Sequence, residues 1–335
     1  MAEKLRTAVV GLGFGEHHVR TIANLTDADL VAVADFDEAR RTGIASAYRC
    51  AAYADAEKMI DEMELDALSV CVSPVYREPV LRAAADRGIA VFVEKPWASN
   101  GEHASKLASV CAANPAPVMT GFSFRFHPVV RRALELVPDE LGSVTLGSGA
   151  YVFNWLPAGN AWLWDPGNGG GFFNENSCHL FDVVCALAGR PVEVFGYGIR
   201  QPDRPSEKAA AVAMRFASGG AVNLTLGGIG VSGQAGYPWF ELFASSGYLR
   251  LTGETHVWRR LEWASSSDGE LSQLTAASEQ LGRTRYSDAL EHFYRCVRDR
   301  SAPKATVQDG VLMVLIADAL RESFATGRPV AIPDA

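Results

Sequence analysis

No stretch of the 335-residue chain approaches the roughly 20 consecutive apolar residues of a membrane span, so no membrane association is expected. No run of lysine or arginine stands out, and the net charge is −8; that balance gives nucleic acid or an anionic bilayer little to hold. The six cysteines (Cys50, Cys71, Cys111, Cys178, Cys185 and Cys296) are scattered without a CxxC pair. With no Cys/His cluster at ligand spacing, no metal site is expected, and the thiols read as reduced and mostly buried in a cytoplasmic protein. The opening MAEKLRTAVVGLG lacks the uninterrupted apolar core of a signal peptide. There is no internal repeat, low-complexity tract or obvious long linker. What is left is ordinary globular composition, 48% hydrophobic and 21% charged. Single cores rarely grow beyond about 250–300 residues, and two domains are expected.

The hydrophobic pattern changes near residue 125. Before it, strand-like runs alternate with helical ones: LRTAVV (5–10), LVAVAD (30–35), DALSVCV (66–72), IAVFVE (89–94) and PVMTGFSF (117–124). Helices fall at about 16–25, 37–47 and 77–87, and Asn100 caps another. That alternation is the signature of a parallel sheet covered on both faces. After it, SVTLGSGAYVFNW, EVFGYGI, AAVAMRFA, AVNLTLGGI, WFELFAS and YLRLTG follow in close succession and read as an antiparallel sheet. Two helices close the chain, one from Ser287 and one from Thr306, where T-x-x-D resembles a capping box.

Gly11, Gly13 and Gly15 sit between the first strand and the first helix. Glycines there let the backbone turn tightly and approach a pyrophosphate, which the helix N-terminus stabilises. The spacing is G-x-G-x-G, with Glu16 where the usual G-x-G-x-x-G has its last glycine. Asp35 follows 24 residues after Gly11, where a carboxylate takes the ribose hydroxyls of NAD and repels the 2′-phosphate of NADP. Arg40 and Arg41 are a counterweight, expected one or two helical turns farther on. The reading is NAD, with NADP as the alternative. Ligands in such a sheet bind beyond the carboxyl ends of the strands. Phe14, Ser73-Pro74 and Glu94-Lys95-Pro96 lie at those ends, which puts Lys95 near the nicotinamide. The chain thus reads as an N-terminal Rossmann domain over 1–125 and a C-terminal α+β domain with a large, mostly antiparallel open sheet over 126–335.

In the second half, GGGFFNENSCHLFD (169–182) leads three glycines into Glu175, His179 and Asp182. Taken as one helix, these lie at i, i+4 and i+7 on a polar stripe, while Leu180, Val184 and Leu187 form an apolar one. A polar stripe is ordinarily a solvated face; the glycine run before it favours a cleft. Arg125 and His127 in GFSFRFHP lie near the domain junction, either as substrate ligands or as structural ties. Trp155, Trp162 and Trp164 precede the glycine run. One of them is expected to offer its face to a substrate ring, although core packing is the commoner use of tryptophan.

These segments carry a resemblance. AVVGLGFGEHH, VSPVYREPVLRAAADRGIAVFVEKPWA, GGGFFNENSCHLFDVVCALAG and the closing YSDALEHFYRCVRDRSAPKATVQDGVLMVLIADALRESFATGRPV, in that order, resemble the Gfo/Idh/MocA oxidoreductases over nearly the whole chain. The resemblance implies hydride transfer between NAD(P) and a secondary alcohol or ketone of a sugar, cyclitol or related polyol. It implies that Lys95 is the family's EKP lysine, often followed by a cis bond, and that Glu175 and His179 stand at the family's D-x-x-x-H pair. The glutamate is one methylene longer than the aspartate of that pattern. The family's histidine after the third strand is Glu78 here, and that contact is not transferred. His179, or Lys95 itself, would carry the proton; Lys95, Arg125, Trp164, Glu175 and His179 would contact substrate. The resemblance also implies pairing of the C-terminal sheets into a homodimer or homotetramer. Two other readings stand beside it: an oxidation–elimination enzyme that cleaves glycosides, and a non-catalytic sensor of NAD or sugar.

Overall fold

A computed structural model describes residues 3–155, 161–165, 167–200, 206–231, 233–234, 236–277 and 284–334. The chain divides into two compact units, Met1–Phe122 with Tyr286–Val311, and Ser123–Arg285 with Leu312–Ala335.

In the first unit, strand and helix alternate as β1 (Leu5–Val10), α1 (Gly15–Ala23), β2 (Ala28–Ala34), α2 (Glu38–Tyr48), β3 (Ala51–Tyr53), α3 (Ala56–Glu62), β4 (Ala67–Val70), α4 (Arg77–Asp86), β5 (Ala90–Val93), α5 (Gly101–Ala112) and β6 (Val118–Thr120). The strands are parallel, in the order β3-β2-β1-β4-β5-β6. This is a Rossmann sheet, with its switch point between β1 and β4. Every residue of β4 and β5 is buried, because a strand covered on both faces needs no polar alternation. Short polar side chains start the helices: Asp37 accepts from the Arg40 N–H at 2.9 Å and Asn100 from the His103 N–H at 2.9 Å. Two short elements have no counterpart in the sequence reading. β3 has three residues and α3 seven, too few to display a period. The strand expected over 117–124 stops at Thr120, and Ser123–Phe126 form a 3-10 turn.

The second unit holds α6 (Pro128–Leu136), β7 (Val144–Val152), α7 (Cys178–Ala188), β8 (Pro191–Arg200), β9 (Glu207–Phe216), β10 (Ala221–Gly227), β11 (Trp239–Ala244), β12 (Gly247–Glu254), β13 (Val257–Ser265), β14 (Ser272–Thr275) and β15 (Val330–Ala331). These strands form one sheet in the order β14-β13-β12-β11-β7-β10-β9-β8-β15. All its pairings are antiparallel except β7 with β10. One face carries the core: on β10, Val222, Leu224 and Leu226 are buried, whereas Ala221, Asn223 and Thr225 are exposed. α6 packs on β12 and β13, and α7 on β7. The chain closes with α8 (Thr284–Asp299) and α9 (Val307–Thr326). The Thr306 and Asp309 side chains cap each other's backbone N–H, at 3.1 and 2.7 Å.

The polar stripe expected over 175–182 is broken. Phe173–Ser177 wind as a π-turn before α7 begins. A π-turn has more residues per turn than an α-helix, so the i, i+4, i+7 relation does not carry through it. Glu175 and His179 are both half-buried, and Asp182 is wholly buried. Asp182 takes the guanidinium of Arg125 instead, from Nε at 3.0 Å and Nη2 at 2.6 Å. Removing one member of a buried pair strands the other charge, at about 3–5 kcal/mol. Asp182→Ala should lower stability by that amount in urea unfolding; an unchanged midpoint would refute the structural weight given to the pair.

Candidate active site

The three glycines after β1 have three distinct surroundings. Gly11 sits at φ +83°, and a Cβ there would lie 2.7 Å from Val72 Cγ1 and 2.9 Å from the Val72 nitrogen. Only glycine makes this turn without strain. A Cβ on Gly13 would meet nothing within 4 Å, so the backbone is bare on that side and open to the approach of a ligand. A Cβ on Gly15 would come within 3.0 Å of Val9 Cγ1 and 3.2 Å of Cys71 Cβ, so this glycine lets α1 lie close on the sheet. Tight turn, bare backbone and close packing are the three duties of a dinucleotide loop, met here in one residue fewer. Phe14, at the N-cap of α1, offers no capping side chain, which leaves that helix end suited to an anion. The loop therefore fits the pyrophosphate of a dinucleotide.

Asp35 follows β2 and is buried. Its Oδ2 accepts from the Leu12 N–H at 2.6 Å, and its Oδ1 from the Asp37 N–H at 2.9 Å. The carboxylate thereby holds the glycine turn. Arg40 reaches it, Nη1 to Oδ2 at 3.6 Å, closer than its place on α2 implied. Ser73 and Pro74 start a 3-10 turn after β4.

Lys95 is the single half-buried residue between Ile89 and Ser99; all others there are buried. The Lys95–Pro96 bond is cis. Glu94 points inward. Its Oε1 meets His18 Nε2 at 2.9 Å, and its Oε2 accepts the Lys95 N–H at 3.1 Å. The other His18 nitrogen, Nδ1, lies 3.2 Å from Ser69 Oγ. Burial pushes the His18 pKa down, but Cys71 and Glu94 beside it push harder the other way, up to about 10. Arg77 grips the far end of the turn, with Nε on the Val72 carbonyl at 3.0 Å and Nη1 on the carbonyls of Pro96 and, at 3.0 Å, Trp97. Burial lowers the Arg77 pKa to about 10 against the opposing pull of Glu94 and Cys71. Sequence reading missed both His18 and Arg77. The available signals were a histidine one helical turn ahead of Ile22 on the buried side of α1, and an arginine opening α4, where the helix dipole favours acids.

In the second unit, the His179 ring stacks on Phe124 with centroids 4.8 Å apart. Glu175 Oε2 accepts from Asn176 Nδ2 at 2.6 Å. The glycine run and π-turn are clamped from α9: Arg321 donates to the Gly170 carbonyl, to Asn174 Oδ1 at 3.4 Å, and to both oxygens of buried Glu207 at 3.0 and 3.2 Å. Neither Arg321 nor Glu207 stood out in the sequence. Arg125 is 8% exposed and committed to Asp182, and His127 is fully buried. Trp164 is 2% exposed, while Trp162 is open at 40%; Trp155 lies against Phe153 and Phe172. Among the described residues, no group of three His, Cys, Asp or Glu could hold a metal.

The glycine loop yields a pair of contrasting expectations. Gly13→Ala should leave the melting temperature unchanged and weaken NADH binding, because its Cβ enters only the space a ligand would use. Gly11→Ala should lower the melting temperature as well. Fluorescence titration with NADH and thermal melts read both; full NADH affinity in Gly13→Ala would remove the loop from the cofactor site.

Comparison with known proteins agrees with this geometry. A profile described as "Oxidoreductase family, NAD-binding Rossmann fold" matches residues 5–122, and one described as "Oxidoreductase family, C-terminal alpha/beta domain" matches residues 135–332. The chain is 24% identical over 322 residues to D-xylose 1-dehydrogenase (NADP(+)) 2 of Haloferax volcanii, covering 95% of this chain and 96% of that one. It is 26% identical over 346 residues to myo-inositol 2-dehydrogenase of Thermotoga maritima, covering 98% and 99%. Levoglucosan dehydrogenase, solved with NADH and levoglucosan, shares the fold at a TM-score of 0.86 with 17% identity, over 99% of this chain and 100% of that one. The two profiles together span most of the chain in the order of its two units, and the chain belongs to the Gfo/Idh/MocA family of NAD-binding oxidoreductases.

Proposed function

We propose that this protein is a dehydrogenase that moves a hydride between NAD(P) and a secondary alcohol or ketone of a sugar, cyclitol or related polyol. The observation that carries the reading is Lys95: one half-open lysine on an otherwise buried turn, at the carboxyl end of β5 in the same sheet as the glycine loop. The named activities of the D-xylose and myo-inositol dehydrogenases support the substrate class. When bound, the nicotinamide supplies the hydride acceptor or donor. In the oxidative direction, His179 takes the hydroxyl proton, and Lys95 hydrogen-bonds the same oxygen and stabilises its developing charge. Glu175 orients His179 or accepts a substrate hydroxyl. Asp35 favours NAD over NADP, which parallel titrations with NADH and NADPH decide.

We assign cofactor binding to residues 1–125 and substrate binding and self-association to residues 126–335. The outer face of the sheet supports association through its apolar residues. Leu146 on β7 and Phe243 on β11 are register partners, both about half exposed at 54% and 48%. Leu224 and Leu226 face inward, so they are unsuitable positions for testing an interface. Six free cysteines support a reducing, cytoplasmic setting; among the described residues, no helix is long and apolar enough to cross a membrane.

Lys95→Ala and His179→Ala should keep the melting temperature and NADH affinity, while kcat on D-xylose or myo-inositol falls by about 10²–10⁴. Near-normal kcat in both would dismiss the assignment. Light scattering should give a multiple of 36.0 kDa, reduced by Leu146→Arg or Phe243→Arg without unfolding. A monomer before mutation would eliminate the interface.

A further inference from the structure

Glu94 is a buried carboxylate, 4% exposed. Its two oxygens have separate duties, one toward His18 and one toward the Lys95 N–H. Little room is left beside Glu94: a Cβ on Gly121, just past β6, would lie 3.1 Å from its carboxyl carbon. His18 is boxed in the same way. Ser69 holds Nδ1, Phe92 meets the ring edge-on at 5.2 Å and Phe14 at 6.1 Å, and Phe92 is backed by Phe293 at 5.8 Å. A ring held by Ser69, Phe92 and Phe14, bonded to a buried carboxylate that also holds the Lys95 N–H, transmits displacement with little slack. The end of that chain is the backbone nitrogen of Lys95.

We propose that His18 and Glu94 are a positioning pair for Lys95, through which the first turn of α1, the helix carrying the glycine loop, sets where the lysine points. This rests on the reading that Lys95 acts on the reacting oxygen. Arg77 fixes the turn beyond Lys95, at Pro96 and Trp97; the His18–Glu94 pair fixes it before. An error of about 1 Å in a group that stabilises a transition state costs about a hundredfold in rate, so a pair that only aims the lysine is visible in kcat.

The pair also has a signature in pH. Around it lie Cys71 at the end of β4, Arg77 from α4, Lys95, and Tyr294 from α8, which senses Cys71. The His18 pKa is raised from 6.5 to about 10. A raised histidine contributes stability that is complete below pH 6.5 and is lost as pH rises through about 10. The stability difference between the unmodified protein and His18→Gln should therefore shrink across that window.

The experiment compares Lys95→Ala, Glu94→Gln, His18→Gln and His18→Leu, with D-xylose, myo-inositol and levoglucosan as probes. Glu94→Gln and His18→Leu should lower kcat about ten- to hundredfold with sugar KM and NADH Kd within about twofold, the mark of an interaction felt in the transition state. His18→Gln, which still donates a hydrogen bond, should recover part of that loss. If Lys95→Ala keeps full kcat, the role of Lys95 fails. If Lys95→Ala is inactive while Glu94→Gln and His18→Leu keep kcat, or lose it only through KM, the positioning pair is overturned and the role of Lys95 stands. Should the pair variants not fold, the unmodified protein serves. Its Lys95 amide proton, held by Glu94, should be protected from solvent exchange, and exchange at the rate of an unstructured peptide overturns the proposal.

Discussion

A buried carboxylate organises the cofactor half of this protein. Taking Glu94 out of water costs several kcal/mol unless its charge is met, and the sheet meets it from three directions. His18 reaches it from α1, the Lys95 N–H from its own turn, and Arg77 adds positive charge from α4 while bonding to the Val72 carbonyl after β4 and to the Pro96 and Trp97 carbonyls after the lysine. The side chains that solve the burial problem belong to the elements that must be in register for a nucleotide to bind. The glycine loop, the end of β4 and the Lys95 turn are thereby tied to one another at the carboxyl edge of the sheet.

The second unit solves a similar problem with different parts. Its glycine run and π-turn are irregular backbone, which carries groups that a regular helix would pair internally. Arg321 and Glu207 supply the missing partners: the arginine takes the Gly170 carbonyl, and Glu207 stands 3.4 Å from the Phe173 N–H. Arg125 and Asp182 tie the 3-10 turn carrying Phe124 to α7, which carries His179. The half-open residues, Glu175 and His179, thus lie on segments anchored by two ion pairs, Arg125–Asp182 and Arg321–Glu207. This division of labour explains why Arg125, an attractive substrate ligand by its place in the chain, is occupied elsewhere.

The course of the sheet was legible because it rests on local signals. Alternating runs of apolar residues, Asn100 and Thr306 at helix starts, and glycines after β1 each act within a few residues of chain. The places of the glycine loop and Asp35 at strand ends were legible for the same reason, since a strand end followed by glycine or aspartate is a local pattern. Partnerships across the sheet were not. Nothing near His18 in sequence points to Glu94, 76 residues away, and nothing near Asp182 selects Arg125. The π-turn was hidden by its composition: FNENS reads as helix, and its partners Arg321 and Glu207 lie far away in the chain. Burial parity on β10 was also hidden, because AVNLTLG alternates cleanly whichever face is turned inward.

Cofactor choice shows how a local motif can be modified by such a partnership. A carboxylate presents about four acceptor sites, and Asp35 uses two of them on the N–H groups of Leu12 and Asp37. It can accept ribose hydroxyls without releasing the glycine turn, so binding NAD disturbs nothing already built. A 2′-phosphate would meet the same carboxylate as a like charge. Arg40 is the nearest compensation at 3.6 Å, but it is shared between Asp35 and Asp37. To serve a phosphate it would have to leave both, uncovering two anions as a third arrives. This arithmetic in charge is what supports the proposed preference for NAD. Removal of the Asp35 carboxylate alone would free Arg40 for the phosphate, at the expense of the bond that holds the loop.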